Sequence, residues 1–363
     1  MFIYFFGAGN VKNNEKKIKR LRLFDLSREG KGISKSDANM APGFKKFFIS
    51  YKNNFGKLIS VNILMVLGNF PLIFLIMNLA GNFQTEYYVP FSDLFQNVGG
   101  IFMADGDPSP YKMVLFAMEG LQNQTLAATP VTYVFYGLSA LTLFTFGIVN
   151  VGCAYIIRNM VTGEPVFVWS DFKYAVKRNY KQALPFGIID LLINFVLIFN
   201  VYTLITSTEK FFASMLFWCN IIIFIVYFFM RFYMYVQMVT FKLSVFKMIK
   251  NSLIFSLLGF KRNIVALLGI IFLLLLEIAF LFGTGGILLP LAVAAPLAML
   301  FATFAYIKVY AAYPKIKQHM IDPYLEEHPE EKHDEDYDDE PIMIDDVTER
   351  ERLEEIKRRN NIV

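Results

Sequence analysis

The chain has 363 residues, of which 55% are hydrophobic, 17% aromatic and only 18% charged. An average soluble domain carries about 25% charged residues, so this composition excludes an ordinary soluble protein. The net charge of +4 hides a split between charged tails and an apolar middle. Two cysteines, Cys153 and Cys219, lie in apolar runs and exclude a disulfide framework or a cysteine zinc site.

Residues 1–43 form a basic leader, expected in the cytoplasm. Its opening MFIYFF is apolar for only six residues and lacks a basic region and a cleavage site, so no cleavable signal peptide is expected. A six-span membrane domain follows over 44–317. A hydrocarbon core about 30 Å thick needs roughly 20 apolar residues as helix. Six stretches qualify: Leu58–Ala80, Val131–Ile157, Leu184–Ile205, Met215–Met238, Ile264–Phe282 and Ile287–Tyr310. Gly283-Thr284-Gly285-Gly286 separates the last two as a turn.

Basic residues set the orientation. Residues 1–57 carry 13 Lys/Arg against 4 acids. Loop 158–183 holds five cations and two acids, and loop 239–263 holds five cations and no acid. The other side has only Lys112 and Lys210 among several acids. Both termini are therefore expected inside, with 81–130 as the sizeable external loop. That loop is rich in Gly, Pro, Asp and Asn and reads as an irregular connector, with a ligand-facing cap as the alternative.

Residues 318–363 form an acidic, largely disordered tail. From Pro314 onward there are 17 acids against 8 basic residues. Thr348-Glu349-Arg350-Glu351 fits a capping box, and a short terminal helix is expected there.

Segments before the odd-numbered spans share a pattern. Phe47-x4-Lys52-x-Asn54-Phe55 matches Phe172-x4-Lys177-x-Asn179-Tyr180, and Lys261-Arg262-Asn263 keeps part of it. This suggests three hairpins in one orientation, each introduced by an amphipathic helix. Basic flanks required at any inner-side span would also account for it. Ser170 reads as a helix cap, after which Phe172, Val176 and Tyr180 recur at four-residue steps among cations. Such a helix, with Trp169 at its start, should lie in the headgroup plane, and Ser244–Phe260 is similar. The expected fold is all-α: a polytopic transmembrane bundle of about six spans, with basic amphipathic interfacial helices on the cytoplasmic side. The expected contacts are the lipid bilayer and anionic headgroups, with no nucleic acid.

Charged residues within spans are costly and therefore informative. Asp190 in the third span and Arg231 in the fourth each lie about seven residues from the inner end. At 1.5 Å per residue both are roughly 10 Å deep, so they are expected to pair. Asn150 lies at similar depth and could join them. Glu277 in the fifth span has no evident partner. The set reads either as a packing device or as a polar layer for transport. The three histidines, His319, His328 and His333, all sit in the acidic tail, and no phosphate loop or dinucleotide fingerprint is present. No catalytic residue, metal site or cofactor is expected, and no enzyme activity.

The loop Gly163-Glu164-Pro165-Val166-Phe167-Val168-Trp169-Ser170-Asp171-Phe172, with Lys177-Arg178-Asn179-Tyr180-Lys181-Gln182-Ala183 after it, carries a family resemblance. It resembles the YesL-like proteins, bacterial integral membrane proteins with domain of unknown function 624. Gly163, Glu164, Trp169, Asp171, Phe172 and Lys181 are the matching positions. The resemblance extends more loosely from about Phe44 to Lys317. The long leader, the long external loop and the acidic tail depart from the family pattern. Members are commonly encoded beside carbohydrate-uptake ABC transporters and their sensor kinases. The resemblance thus implies an accessory role in sugar uptake or its sensing, with components of those complexes as partners. It also implies a multi-pass protein of the bacterial plasma (inner) membrane. A small secondary transporter or channel is the alternative.

Overall fold

The computed structural model describes residues 42–89, 106, 109–111, 114, 123–205, 211–283 and 285–327. Most of the basic leader, most of the external loop, and the acidic tail beyond Glu327 with its terminal helix lie outside the described residues. The described chain is helical apart from one two-stranded ribbon. Among the described residues, five helices are long and apolar enough to cross a membrane, and a sixth span results if the broken helix over 55–79 counts as one. The chain is a polytopic membrane protein. It divides into two compact units, residues 69–144 and the remainder.

In the smaller unit, α3 (Pro71–Leu79) and α4 (Pro130–Ser139) pack together and meet a ribbon of β1 (Gln84–Val89) and β2 (Asn123–Ala128). The strands are antiparallel, with Gln84 opposite Ala128 and Val89 opposite Asn123. The two ends of the expected irregular loop are thus zipped together. Thr129 caps α4 through a reciprocal pair with Thr132. Asn78 donates to the Thr132 carbonyl at 3.0 Å. Phe83 stacks on Phe135 with centroids 4.0 Å apart.

The larger unit contains α1 (Phe44–Asn53), α2 (Phe55–Gly68), α5 (Thr142–Thr162), α6 (Val168–Ile205), α7 (Phe211–Thr240), α8 (Val245–Leu258), α9 (Phe260–Phe282), α10 (Leu289–Ala295), α11 (Phe301–Ile316) and α12 (Asp322–Glu327). A π-helical turn over Pro296–Leu300 joins α10 to α11, and another over Lys317–Ile321 joins α11 to α12. Pro296 has no N–H to return to the preceding turn, and the helix widens there. Asn62, fully buried on α2, satisfies backbone groups in and just after the widened turn. Its amide donates to the carbonyls of Pro296 and Leu297, both at 2.8 Å, and accepts from the Ala302 N–H at 2.9 Å. Pro314 likewise leaves the Tyr310 carbonyl without its helical donor. Arg262 of α9 donates to the carbonyls of Tyr310 and Ala311 at 3.1 and 3.2 Å.

Helix α5 crosses α6 at two glycines. A Cβ at Gly147 would sit 2.0 Å from the Ala183 carbonyl oxygen, and one at Gly187 would sit 2.3 Å from the Gly147 Cα. Only bare backbone fits, the close approach that small residues permit in membranes.

The amphipathic segments differ from expectation in how their apolar faces are covered. On α1, Phe47 and Tyr51 pack against Tyr306 and Tyr310 of α11. The Tyr310 hydroxyl donates to the Gly43 carbonyl at 2.7 Å. Helix α8 packs on α7, where Gln237 donates to Ser252 at 3.0 Å. The third segment is no separate helix lying in the headgroup plane. It is the start of α6, which runs unbroken through Pro185 for 38 residues. At 1.5 Å per residue α6 is about 57 Å long, so its first turns extend beyond a 30 Å hydrocarbon layer. Asn54 and Asn179 occupy the same place in the shared pattern, and each donates to the carbonyl four residues earlier. Asn263 instead reaches back to the Ser256 carbonyl and closes the corner between α8 and α9.

Candidate functional site

The centre of interest is a fully buried carboxylate. Asp190 on α6 has no exposed surface. Helix α7 presents Tyr227, Arg231 and Tyr235 to it at four-residue steps, so the three side chains form one stripe on the facing helix. The Arg231 Nε lies 2.9 Å from Oδ1 and 3.2 Å from Oδ2. The Tyr227 hydroxyl donates to Oδ1 at 2.8 Å and the Tyr235 hydroxyl to Oδ2 at 2.7 Å. Asn194, one turn along α6, donates to Oδ1 at 2.8 Å and to the Asp190 carbonyl at 2.6 Å. One carboxylate thus accepts from four side chains. Phe186 meets the Tyr235 ring edge-on at 5.4 Å. The Arg231 guanidinium lies 5.7 Å from the centre of the Phe146 ring, and its side chain keeps 19% of its surface exposed.

Lys308 on α11 belongs to the same neighbourhood, within electrostatic reach of Arg231 and Asp190. Its ammonium lies 5.1 Å from the centre of the Phe228 ring. Among the described residues no carboxylate pairs with it. Sequence reasoning passed over Lys308, although it lies within the sixth apolar stretch. It also passed over Tyr227 and Tyr235, whose four-residue spacing about Arg231 was the available signal.

The expected Asp190–Arg231 pair is formed. Asn150 is not part of it, because its amide turns back to the Phe146 carbonyl of its own helix at 2.9 Å. Glu277 is half-buried on α9, and no hydrogen bond or ion pair holds it among the described residues.

The motif loop works as a connector between α5 and α6. Gly163 has φ +93°, a left-handed conformation that closes α5. The N–H groups of Gly163 and Glu164 both donate to the Asn159 carbonyl at 3.0 Å. Arg158 bridges Glu164 at 3.3 Å and Asn159 at 2.7 Å. Asp171 accepts from the Phe167 N–H at 2.8 Å and caps α6. Ser170, expected as the cap, sits inside the first turn, because α6 begins at Val168. Phe172 fills the notch at Gly152, where an added Cβ would meet its ring at 2.4 Å. Trp169 stacks parallel to Phe172, and Lys173 lies over the Trp169 ring at 4.7 Å. Lys181 is exposed one turn before Pro185.

A second polar junction lies where α6 passes the end of α7. The last carbonyls of a helix lack donors, and here α6 supplies one of them and one carbonyl of the following turn. Arg178 donates to the Val239 carbonyl, and Gln182 donates to the Leu243 carbonyl at 2.6 Å. Arg178 also donates to the Tyr174 hydroxyl at 3.1 Å. Its guanidinium lies against the Tyr155 and Tyr174 rings at 5.7 and 5.2 Å.

Residues 126–201 match the family model described as protein of unknown function, DUF624. The match covers the motif loop, the glycine crossing and Asp190, and it is the family that the loop resembles. No curated protein and no solved structure matches the chain.

Proposed function

We propose that this chain is a non-enzymatic membrane scaffold, an accessory component that holds partner membrane proteins. The observation that carries this reading is the saturation of Asp190. Its two oxygens accept from Arg231, Tyr227, Tyr235 and Asn194, and none of its surface is open. A carboxylate that cycles protons or binds a solute needs a free face, and this one is spent on holding α6 to α7. The family resemblance supports carbohydrate uptake or its sensing as the setting, with ABC-transporter or sensor-kinase components as partners. It also supports the bacterial plasma membrane as the location. The lysine and arginine bias supports an orientation with both termini in the cytoplasm.

The test is purification in mild detergent followed by mass spectrometry, together with flux assays in liposomes. The scaffold reading expects defined membrane partners and no sugar or proton flux. Isolation of the protein alone, with flux that Asp190→Asn abolishes, overturns it.

Lys308 favours a second reading. A cation within electrostatic reach of Arg231, with no carboxylate paired to it among the described residues, is the feature a transporter of small anions would use. Anion flux that disappears in Lys308→Gln supports that reading.

A further inference from the structure

The junction of α6 with the end of α7 encloses a cavity of about 120 Å³. Three cations line it: Arg178 and Lys181 from α6, and Lys242 from the turn after α7. The amides of Asn179 and Gln182 stand among them, and no carboxylate lines it. We propose that this cavity binds a phosphate group carrying negative charge.

Arg178 is held by the Val239 carbonyl and the Tyr174 hydroxyl, and Gln182 by the Leu243 carbonyl. The donors are therefore placed before any ligand arrives, which lowers the ordering cost of binding. Lys181 and Lys242 have no ion pair among the described residues. Three cations line one cavity whose lining holds no carboxylate, and a bound oxyanion offsets their mutual repulsion. A water needs only about 10–15 Å³, so the cavity has room for a tetrahedral group. The hydropathy pattern also sets it at the level of the headgroups. Arg178 to Gln182 immediately precede the apolar stretch that begins at Leu184, where the helix leaves the hydrocarbon layer. Basic pockets at this level suit lipid phosphates. A soluble phosphate would find the same donors. The inference is independent of the scaffold role.

The test uses the full chain in phosphatidylcholine nanodiscs, with phosphatidylglycerol added in steps. Bound lipid is counted by native mass spectrometry. In a parallel arm, neutral nanodiscs are titrated with inorganic phosphate and thermal stability is followed. The variants are Lys181→Gln/Lys242→Gln and a charge-matched control, Lys250→Gln/Lys261→Gln. A Lys181→Arg/Lys242→Arg variant keeps the charge and should keep binding.

At roughly fivefold per lysine near the surface, the Gln pair should weaken phosphatidylglycerol retention roughly 30-fold. The control should change it less than threefold. Stabilisation by inorganic phosphate that the Gln pair removes assigns the site to a soluble group, and lipid retention without it assigns the site to a headgroup. Equal effects of the two Gln pairs, or no effect of either, overturn the proposal. If the Gln pair fails to elute as a folded species, the Arg pair decides. Retention within threefold of the parent supports the proposal, and loss of binding despite preserved charge refutes it.

Discussion

Replacing Asp190 by Ala tests the cluster most directly. The change removes the acceptor of two tyrosine hydroxyls and one asparagine amide, and it leaves Arg231 without a counter-ion. Breaking one side of a buried ion pair costs about 3–5 kcal/mol. Side-chain hydrogen bonds in membranes average about 0.6 kcal/mol, so the three others add roughly 2 kcal/mol. Asp190→Ala should therefore lose about 5–7 kcal/mol. Arg231→Met leaves the carboxylate with its three other donors and should lose less, about 3–5 kcal/mol. The double variant Asp190→Leu/Arg231→Met removes both charges and leaves only two hydroxyls and one amide unpaired. It should lose about 2 kcal/mol, less than either single change. The assay is reversible unfolding in mixed micelles, followed by circular dichroism. A double variant as unstable as the sum of the singles would show that the two residues do not act as a pair. A loss below about 1 kcal/mol for Asp190→Ala would show that the cluster does not hold α6 to α7.

Asn62→Leu should destabilise by about 2 kcal/mol, because it strands two carbonyls and one N–H at the π turn; an unchanged unfolding midpoint would refute that account. Gly147→Ala drives a methyl into the Ala183 carbonyl and should cost about 1–3 kcal/mol, whereas Gly269→Ala, with open space around it, should cost nothing. Gly163→Ala forces an L side chain into a left-handed position and should cost about 1–2 kcal/mol, read as a lowered thermal midpoint. For orientation, Asn82→Cys and Lys250→Cys in a Cys219→Ser background should react from opposite sides with a membrane-impermeant maleimide in intact and opened cells. Labelling of both from one side would contradict the charge-based topology.

The spans were legible because hydropathy follows composition, and each apolar stretch must satisfy its own backbone as helix. The Asp190–Arg231 pair was legible for a related reason. A charge deep in an apolar run needs a partner, and the two lie at matching depth on consecutive helices. Asn150 shows the limit of that argument, since depth fixes height but not the direction in which a side chain points. Lys308, near the end of its span, was hidden by the same rule, because a lysine there is expected to reach for water. The amphipathic segments were recognisable as helices, but their partners were not. An apolar stripe of Phe47 and Tyr51 suits a lipid surface and a tyrosine-lined groove equally well.

The sequence by itself determined that the chain crosses a membrane about six times, and it named the charges that had to be neutralised within it. Only the tertiary structure decided how. Two tyrosines and an asparagine close the shell of Asp190, Asn62 repairs a widened turn at carbonyls 234 and 235 residues away, and bare glycines let α5 and α6 touch. These depend on which faces meet, and the relative rotation of packed helices is a property of the whole bundle rather than of any one apolar run.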